Sequence, residues 1–171
     1  ADRSEFPRPK VCGGCLNPRA VAGLERLGLA GVLHRVGAVS LQRVELRSTR
    51  GGSATLPLSG GLAVSRSAMD AALLGDASRR CVRVMTGTGA RVRSLAGDAG
   101  SRLRVTLARG GETWDCAARV VIVADGLRGR SVDEHACFTW RVARRSRFGV
   151  GTMLPGEACP DLGPGVVRML R

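Results

Sequence analysis

Apolar residues take up helical spacing in short stretches of the chain and strand-like spacing over most of the rest. Ala20, Val21, Leu24 and Leu27 recur on one helical face. Asn17 is a good N-cap ahead of them, Pro18 suits the first turn, and Gly28 is a natural stop. A second short helical turn is expected over 30–36. Ser65 can cap a helix over 66–79 whose apolar face is Met69, Ala72 and Leu73. From about 38 to 64 the texture is that of strands. Val39, Leu41, Val44 and Leu46 fall in one, and Ala54–Leu58 in another beyond a turn at Gly51-Gly52, before Gly60-Gly61 breaks the chain again. A β-meander follows, with strands at Cys81–Met85, Ala90–Leu95, Leu103–Ala108 and Thr113–Ala117 between glycine-rich turns.

The run Val120-Val121-Ile122-Val123-Ala124 is unbroken in its apolar character and stops on Asp125-Gly126. It predicts a strand at 119–124 buried on both faces, of the kind found inside a parallel sheet. Such a strand delivers the residues at its carboxyl end to the crevice where α/β proteins bind ligands. An ordinary Asp-Gly turn is the plainer alternative. Further strands are expected near 137–143, 147–154 and 165–170. The fold class is therefore α/β with an antiparallel insertion. The buried strand wants parallel neighbours and crossover helices that the sequence does not supply. Together with a start at Ala1-Asp2-Arg3 and a strand-like end, this creates the expectation of a piece cut from something longer.

Composition narrows the function classes. A hydrophobic content of 44% in 171 residues suits one ordinary core. No apolar run approaches the roughly 20 residues of a membrane span, so no transmembrane segment is expected, and peripheral membrane contact stays open. No signal peptide stands at the start. The net charge of +13 suggests nucleic acid, yet Lys10 is the sole lysine and the arginines are spread along the chain, dense only at Arg141, Arg144, Arg145 and Arg147. Three Phe, two Trp and no Tyr leave few platforms for base stacking, which argues against a nucleic-acid partner. The six cysteines are irregularly spaced in a chain too apolar to need staples, so free thiols and a cytoplasmic setting are expected. A zinc site at Cys12 and Cys15 would want a second close pair, and there is none, so no metal is expected. A redox dithiol would want the pair to open a helix, whereas Asn17-Pro18 begins one just after it. His34 and His135 read as structural or exposed, and no GxSxG motif supports serine chemistry.

Residues 6–16 read as a loop, with φ fixed at Pro7 and Pro9 and freed at Gly13-Gly14. Asp2-Arg3, then Phe6-Pro7-Arg8-Pro9-Lys10-Val11-Cys12-Gly13-Gly14, the helix, the Ser65-Arg66 helix start, the meander and Val121-Ile122-Val123-Ala124-Asp125-Gly126 occur in that order. This succession resembles the FAD-dependent oxidoreductases of the geranylgeranyl reductase and aromatic-ring monooxygenase type, well over roughly residues 1–130 and loosely beyond. The resemblance implies a Rossmann-like FAD/NAD(P)-binding fold with a β-meander insertion, incomplete at both ends. Residues 1–130 would be a partial FAD-binding domain and 131–171 the start of a substrate domain. The GxGxxG turn of the family is absent, as is its later Gly-Asp motif, since Gly75-Asp76 and Gly97-Asp98 lie in the wrong regions.

By the same resemblance, Asp2 takes the ribose hydroxyls. Arg3, Arg8, Lys10, Gly13 and Gly14 face the cofactor, and Cys12 lies near the isoalloxazine as a catalytic proton donor or pocket wall. Arg66 contacts FAD, and a cation in a first helical turn is easier to understand if it meets a phosphate. Asp125 and Gly126 reach the pyrophosphate region, where Asp125 would fix the loop or bond a hydroxyl or water. Phe138, Trp140 and Phe148 could line an apolar substrate pocket, or serve equally as core. The implied activity is that of a flavoenzyme acting on an apolar or aromatic small molecule by hydride transfer to a C=C bond, with NAD(P)H a candidate electron donor. A monooxygenase using NAD(P)H and oxygen is one alternative. The other is a non-catalytic basic module that binds an anionic partner through Arg141–Arg147.

Overall fold

The computed structural model describes residues 1–12, 14–94, 102–126, 129–139, 141–147 and 149–170. It is a mixed α/β chain of two compact units. One comprises Pro7–Arg79 with Gly149–Arg171, the other Ala1–Phe6 with Arg80–Phe148.

The first unit carries β1 (Cys15–Leu16), α1 (Pro18–Arg26), α2 (Ala30–Arg35), β2 (Val39–Arg47), β3 (Ser53–Ala63), α3 (Arg66–Arg79) and, after a 3-10 turn at Gly156–Ala158, the late strand Val166–Leu170. Helix α1 starts where its signals say it should: the Asn17 side chain accepts the Ala20 N–H at 2.9 Å, and Pro18 opens the first turn. Helix α3 covers the expected residues, with Ser65 Oγ accepting the Ala68 N–H at 3.3 Å. Leu33, Val64 and Met69 form the core of this unit, backed by Leu16, Val21, Leu24, Val36, Ala38, Leu62 and Leu73. Helix α1 thus packs on the sheet, α2 and α3 pack on each other around the same core, and the segment between β3 and α3 contributes Val64 to it.

The sheet of this unit has the order β1, β3, β2 and then the late strand, antiparallel throughout except for the last pairing. Strand β3 runs on to Ala63, through the glycines read as a break. The pairing steps from Leu41↔Gly61 to Arg43↔Pro57, so Leu58, Ser59 and Gly60 stand opposite Gln42 alone. This is a β-bulge. Gly60 takes φ +73° inside it, and Pro57, which has no N–H to donate, sits at its edge. The late strand runs parallel to β2 with Glu45 in register with Arg168, and the Arg168 guanidinium donates to Glu45 Oε2 at 2.9 Å. Arg168, and then Arg43, hold the Glu45 carboxyl below its ordinary range.

The second unit is built on an antiparallel meander of β4 (Gly89–Ser94), β5 (Leu103–Arg109) and β6 (Glu112–Ala118), and the late strand of the first unit is accordingly β7. Val92, Val105 and Leu107 form its core, joined by Met85, Ala90, Val121 and Val132. The meander has three strands among the described residues rather than four, because 81–85 form none. That segment instead runs beside the N-terminus: the Asp2 N–H donates to the Met85 carbonyl at 2.8 Å, and the Thr88 N–H to the Asp2 carbonyl at 2.9 Å.

The expectation of a doubly buried strand at 119–124 is overturned. These residues form no strand, and Val120 is 73% and Ile122 87% exposed, while Val121 alone reaches the core. A central strand is held by ladders on both edges and by layers on both faces, and among the described residues neither surrounds this segment. The described residues of 137–143 and 147–154 are likewise not strands, with Val142 and Val150 exposed. Leu95 of the expected β4, and Trp140 and Phe148 of the later segments, lie outside the described residues.

Candidate functional site

The expected site residues divide between the two units. Arg8, Lys10, Cys12, Gly14 and Arg66 belong to one, and Asp2, Arg3, Asp125 and Gly126 to the other. Gly13 lies outside the described residues.

In the first unit the loop is clasped to the start of α3. The Gly14 carbonyl accepts the Val64 N–H at 2.7 Å, with Gly14 at φ +65°. A Cβ at Gly14 would stand 3.3 Å from the Val64 carbonyl oxygen, so the close approach of the two backbones itself calls for glycine. Two residues beyond Val64, Arg66 donates from Nε to Asp70 Oδ1 at 2.6 Å and points a second nitrogen at Cys12 Sγ, 4.0 Å away. The Gly14 N–H and then the Arg66 guanidinium pull the Cys12 thiol below its ordinary value, against the opposing effects of burial and of the Asp70 charge. Asp70 raises the Arg66 pKa in return. Lys10 is exposed and Arg8 half-buried in the same loop.

Asp70 is the member of this cluster that the sequence reading missed, although an opposite charge four residues along a helix is a legible signal. Its presence changes the account of Arg66. A carboxylate one turn on offsets the cost of a cation in the first turn, so the position is understood without a phosphate.

In the second unit, Asp2 is half-buried and its Oδ1 accepts the Ser4 N–H at 2.8 Å, closing a small turn. Thr88, 1% exposed, bonds the Thr86 carbonyl at 2.9 Å, and Thr86 bonds Glu5 at 2.5 Å, so residues 2–5 are tied to the loop before β4. Arg3 is exposed. Asp125 turns back on its own loop: Oδ2 accepts the Ser131 N–H at 3.0 Å, and the Gly126 carbonyl accepts the Gly129 N–H at 3.1 Å. A Cβ on Gly129 would overlap the Asp125 carboxylate. Burial acts to raise the Asp125 pKa, but hydrogen bonds from Ser131, its own amide and Arg130 together leave it below its ordinary value. Asp125 fixes this loop, and Gly129 and Ser131, spaced four and six residues on, are its unrecognised partners.

His135 Nε2 lies 2.8 Å from the Val92 carbonyl, a structural contact. Phe138 is 49% exposed, and Arg141, Arg144, Arg145 and Arg147 are all exposed. Among the described residues no three His, Cys, Asp or Glu side chains gather as metal ligands, and no helix is long and apolar enough to cross a membrane.

No protein-family model matches the chain. It is 34% identical to a menaquinone reductase of Mycolicibacterium smegmatis over 74% of its own length, but it spans only 31% of that protein. Among solved structures it is similar to the flavin-dependent halogenase CmlS, with a TM-score of 0.61 and 27% identity, covering 74% of this chain and 24% of the other. It is also similar to CndH, the myxobacterial chondrochloren halogenase described as a variant of FAD-dependent halogenases, with a TM-score of 0.64 and 25% identity over 77% and 32% of the two chains. The mixed α/β fold is thus similar to that of FAD-binding flavoproteins.

Proposed function

We infer that the chain is part of a flavoprotein of the FAD-dependent oxidoreductase superfamily, as its likeness to the two halogenases and the reductase supports. The single observation that carries the reading is the clasp of the Cys12–Gly14 loop onto the N-terminus of α3. It gathers a guanidinium, a backbone at positive φ and the start of a 14-residue helix. These groups fit an anionic diphosphate: the helix end and Arg66 supply positive charge, and Gly14 lets backbone come near. In this unit Arg8, Lys10, Gly13, Gly14 and Arg66 would hold FAD, while Asp2, Arg3, Asp125 and Gly126 are assigned to the cofactor by the sequence resemblance. The Asp2 carboxylate is the group for ribose hydroxyls. Asp125 would act by keeping its loop in shape.

When bound, FAD supplies two-electron redox chemistry, which we assign to hydride transfer to a C=C bond of an apolar or aromatic small molecule, in the geranylgeranyl reductase manner, with NAD(P)H as electron donor. Cys12 would hold or give a proton, the Gly14 N–H and then Arg66 favouring its thiolate form. Residues 131–171 would begin the substrate domain. The name of the curated relative, a reductase, favours this branch. The halogenase neighbours favour a second reading, a flavin-dependent monooxygenase.

The test is the visible spectrum of the protein expressed from its full coding sequence, with FAD added if it is colourless. Bound-flavin bands that weaken on Arg66→Ala or Asp2→Ala are expected. A folded protein whose melting temperature FAD does not raise would overturn the proposal. NAD(P)H oxidation without oxygen uptake separates the reductase from the monooxygenase.

A further inference from the structure

We propose that residues 131–135 are a strap that fastens the Asp125–Gly126 corner to the meander, and that Glu134, its main fastening, is a positioning residue for the cofactor site. The inference rests on the flavin reading above, because the resemblance assigns that corner to the cofactor. Among the described residues β4 lies at the edge of its sheet, with β5 on one side. On its other side Val92 gives both backbone groups to the strap. Its N–H donates to the Ser131 carbonyl at 2.8 Å, and its carbonyl lies 2.8 Å from His135 Nε2. A carbonyl only accepts, so Nε2 is the donor there. The strap also grips both faces of β4. Val132 packs with Val92, Val105 and Leu107 on the core side. Arg91 and Arg93, which flank Val92, carry their charges to the other face, and both reach Glu134.

Arg93 is aimed by an irregularity in the ladder. The pairing steps from Val92↔Val105 to Ser94↔Arg104, so Arg93 is the extra residue of a β-bulge, a device that redirects a side chain. Its Nε donates to Thr106 Oγ1 at 3.1 Å, and Thr106 donates in turn to Asp115 at 2.6 Å. Its Nη1 lies 3.0 and 2.8 Å from the two Glu134 carboxylate oxygens. Arg91 Nη1 adds a bond to Glu134 at 3.0 Å and a longer one to Asp133 at 3.4 Å. A single exposed ion pair is worth little, but here two guanidiniums hold one carboxylate, and a hydroxyl already braces one of them. Arg93, and then Arg91, keep the Glu134 carboxyl below its ordinary range. The fastening passes to the corner through Ser131. Its carbonyl takes the Val92 N–H, while its own N–H donates to Asp125 Oδ2 at 3.0 Å. One residue thus ties Asp125 to β4. A corner already held in place loses less freedom when a ligand arrives, which favours binding.

The experiment takes the protein expressed from its full coding sequence, as parent and as Glu134→Ala, and follows hydrogen exchange at single amides before FAD is added. The Val92 and Ser131 amides should exchange several-fold faster in the variant, while those of the β5–β6 ladder keep the parent rate. A fluorescence titration with FAD should then give a Kd several-fold higher for Glu134→Ala. Arg93→Gln, which removes the charge on the other side of the contact, should act alike, and it decides the matter should Glu134→Ala not fold. The proposal is overturned if neither amide responds. It is overturned equally if the β5–β6 ladder accelerates as much, because that marks a general loss of stability and not the release of a strap. FAD bound as tightly as before, with both amides released, would also overturn it. A parent that binds no FAD would sink the flavin reading and the strap's part in it, while the exchange rates would still judge the strap's hold on Asp125.

Discussion

Gly14→Ala tests the clasp that organises the candidate site. The substitution acts twice. An alanine at φ +65° costs about 1–2 kcal/mol from contact of Cβ with its own backbone. The new Cβ would also meet the Val64 carbonyl at 3.3 Å, and relief of that contact rotates away the Gly14 carbonyl that bonds the Val64 N–H. Losing that bond costs a further 0.5–1.5 kcal/mol or so, for a total of about 2–3 kcal/mol. Gly37 provides the comparison within the same unit. It sits at φ +67°, and a Cβ there meets nothing within 4 Å, so Gly37→Ala should cost only the conformational part, about 1–2 kcal/mol. Urea unfolding of the parent and both variants, with the slope of the transition checked for constancy, gives the two costs. Gly14→Ala should exceed Gly37→Ala by about 1 kcal/mol. Equal costs would mean that the Gly14–Val64 clasp adds nothing, and the proposed site would lose its organising contact.

Three further outcomes follow from the second unit. Leu107→Ala, in the core of the meander, should cost about 2–4 kcal/mol by urea unfolding. Ile122→Ala, at a position 87% exposed, should stay within about 0.5 kcal/mol, and a cost above 2 would restore the buried strand at 119–124. The Asp125 pKa lies below its ordinary value of 3.8 when folded, so the unfolded chain binds the proton more readily. Stability from this group is therefore present above pH 3.8 and lost as pH falls through the folded value. Asp125→Asn should flatten that acid limb of the stability profile, and an unchanged limb would remove Asp125 from the loop's support.

The helices were legible because their ends carry chemistry that acts locally. Asn17, Pro18, Ser65 and the 3.6-residue spacing of Leu24 or Met69 do not depend on what lies across the molecule, and α1 and α3 begin where those residues place them. Strands β5 and β6 were legible for the same reason, being closed by the short turn at Gly110-Gly111. Gly60 and Gly61 misled because a glycine that ends one strand and a glycine that relaxes a bulge look alike in sequence. The difference lies in whether a partner, here Gln42, waits opposite.

The run from Val120 to Ala124 shows the opposite dependence. Its apolar character states a demand for neighbours on both faces, and composition cannot tell whether the demand is met. Val121, which reaches Val92, Val105 and Leu107, is the one position where the described residues meet it. The site divides along the same line. Asp125-Gly126 was marked by a local pattern, yet what Asp125 does follows from Ser131 and Gly129, which only the closed loop brings to it. Arg66 was marked as an anomaly of charge against the helix dipole. The resolution was four residues away in Asp70, and the consequence lay 54 residues upstream at Cys12. A residue that breaks a local rule therefore identifies where a tertiary contact must be, without naming it. Here that contact is a cation shared between a carboxylate and a thiol. This is why the same guanidinium is both the candidate holder of a phosphate and a positive charge facing Cys12.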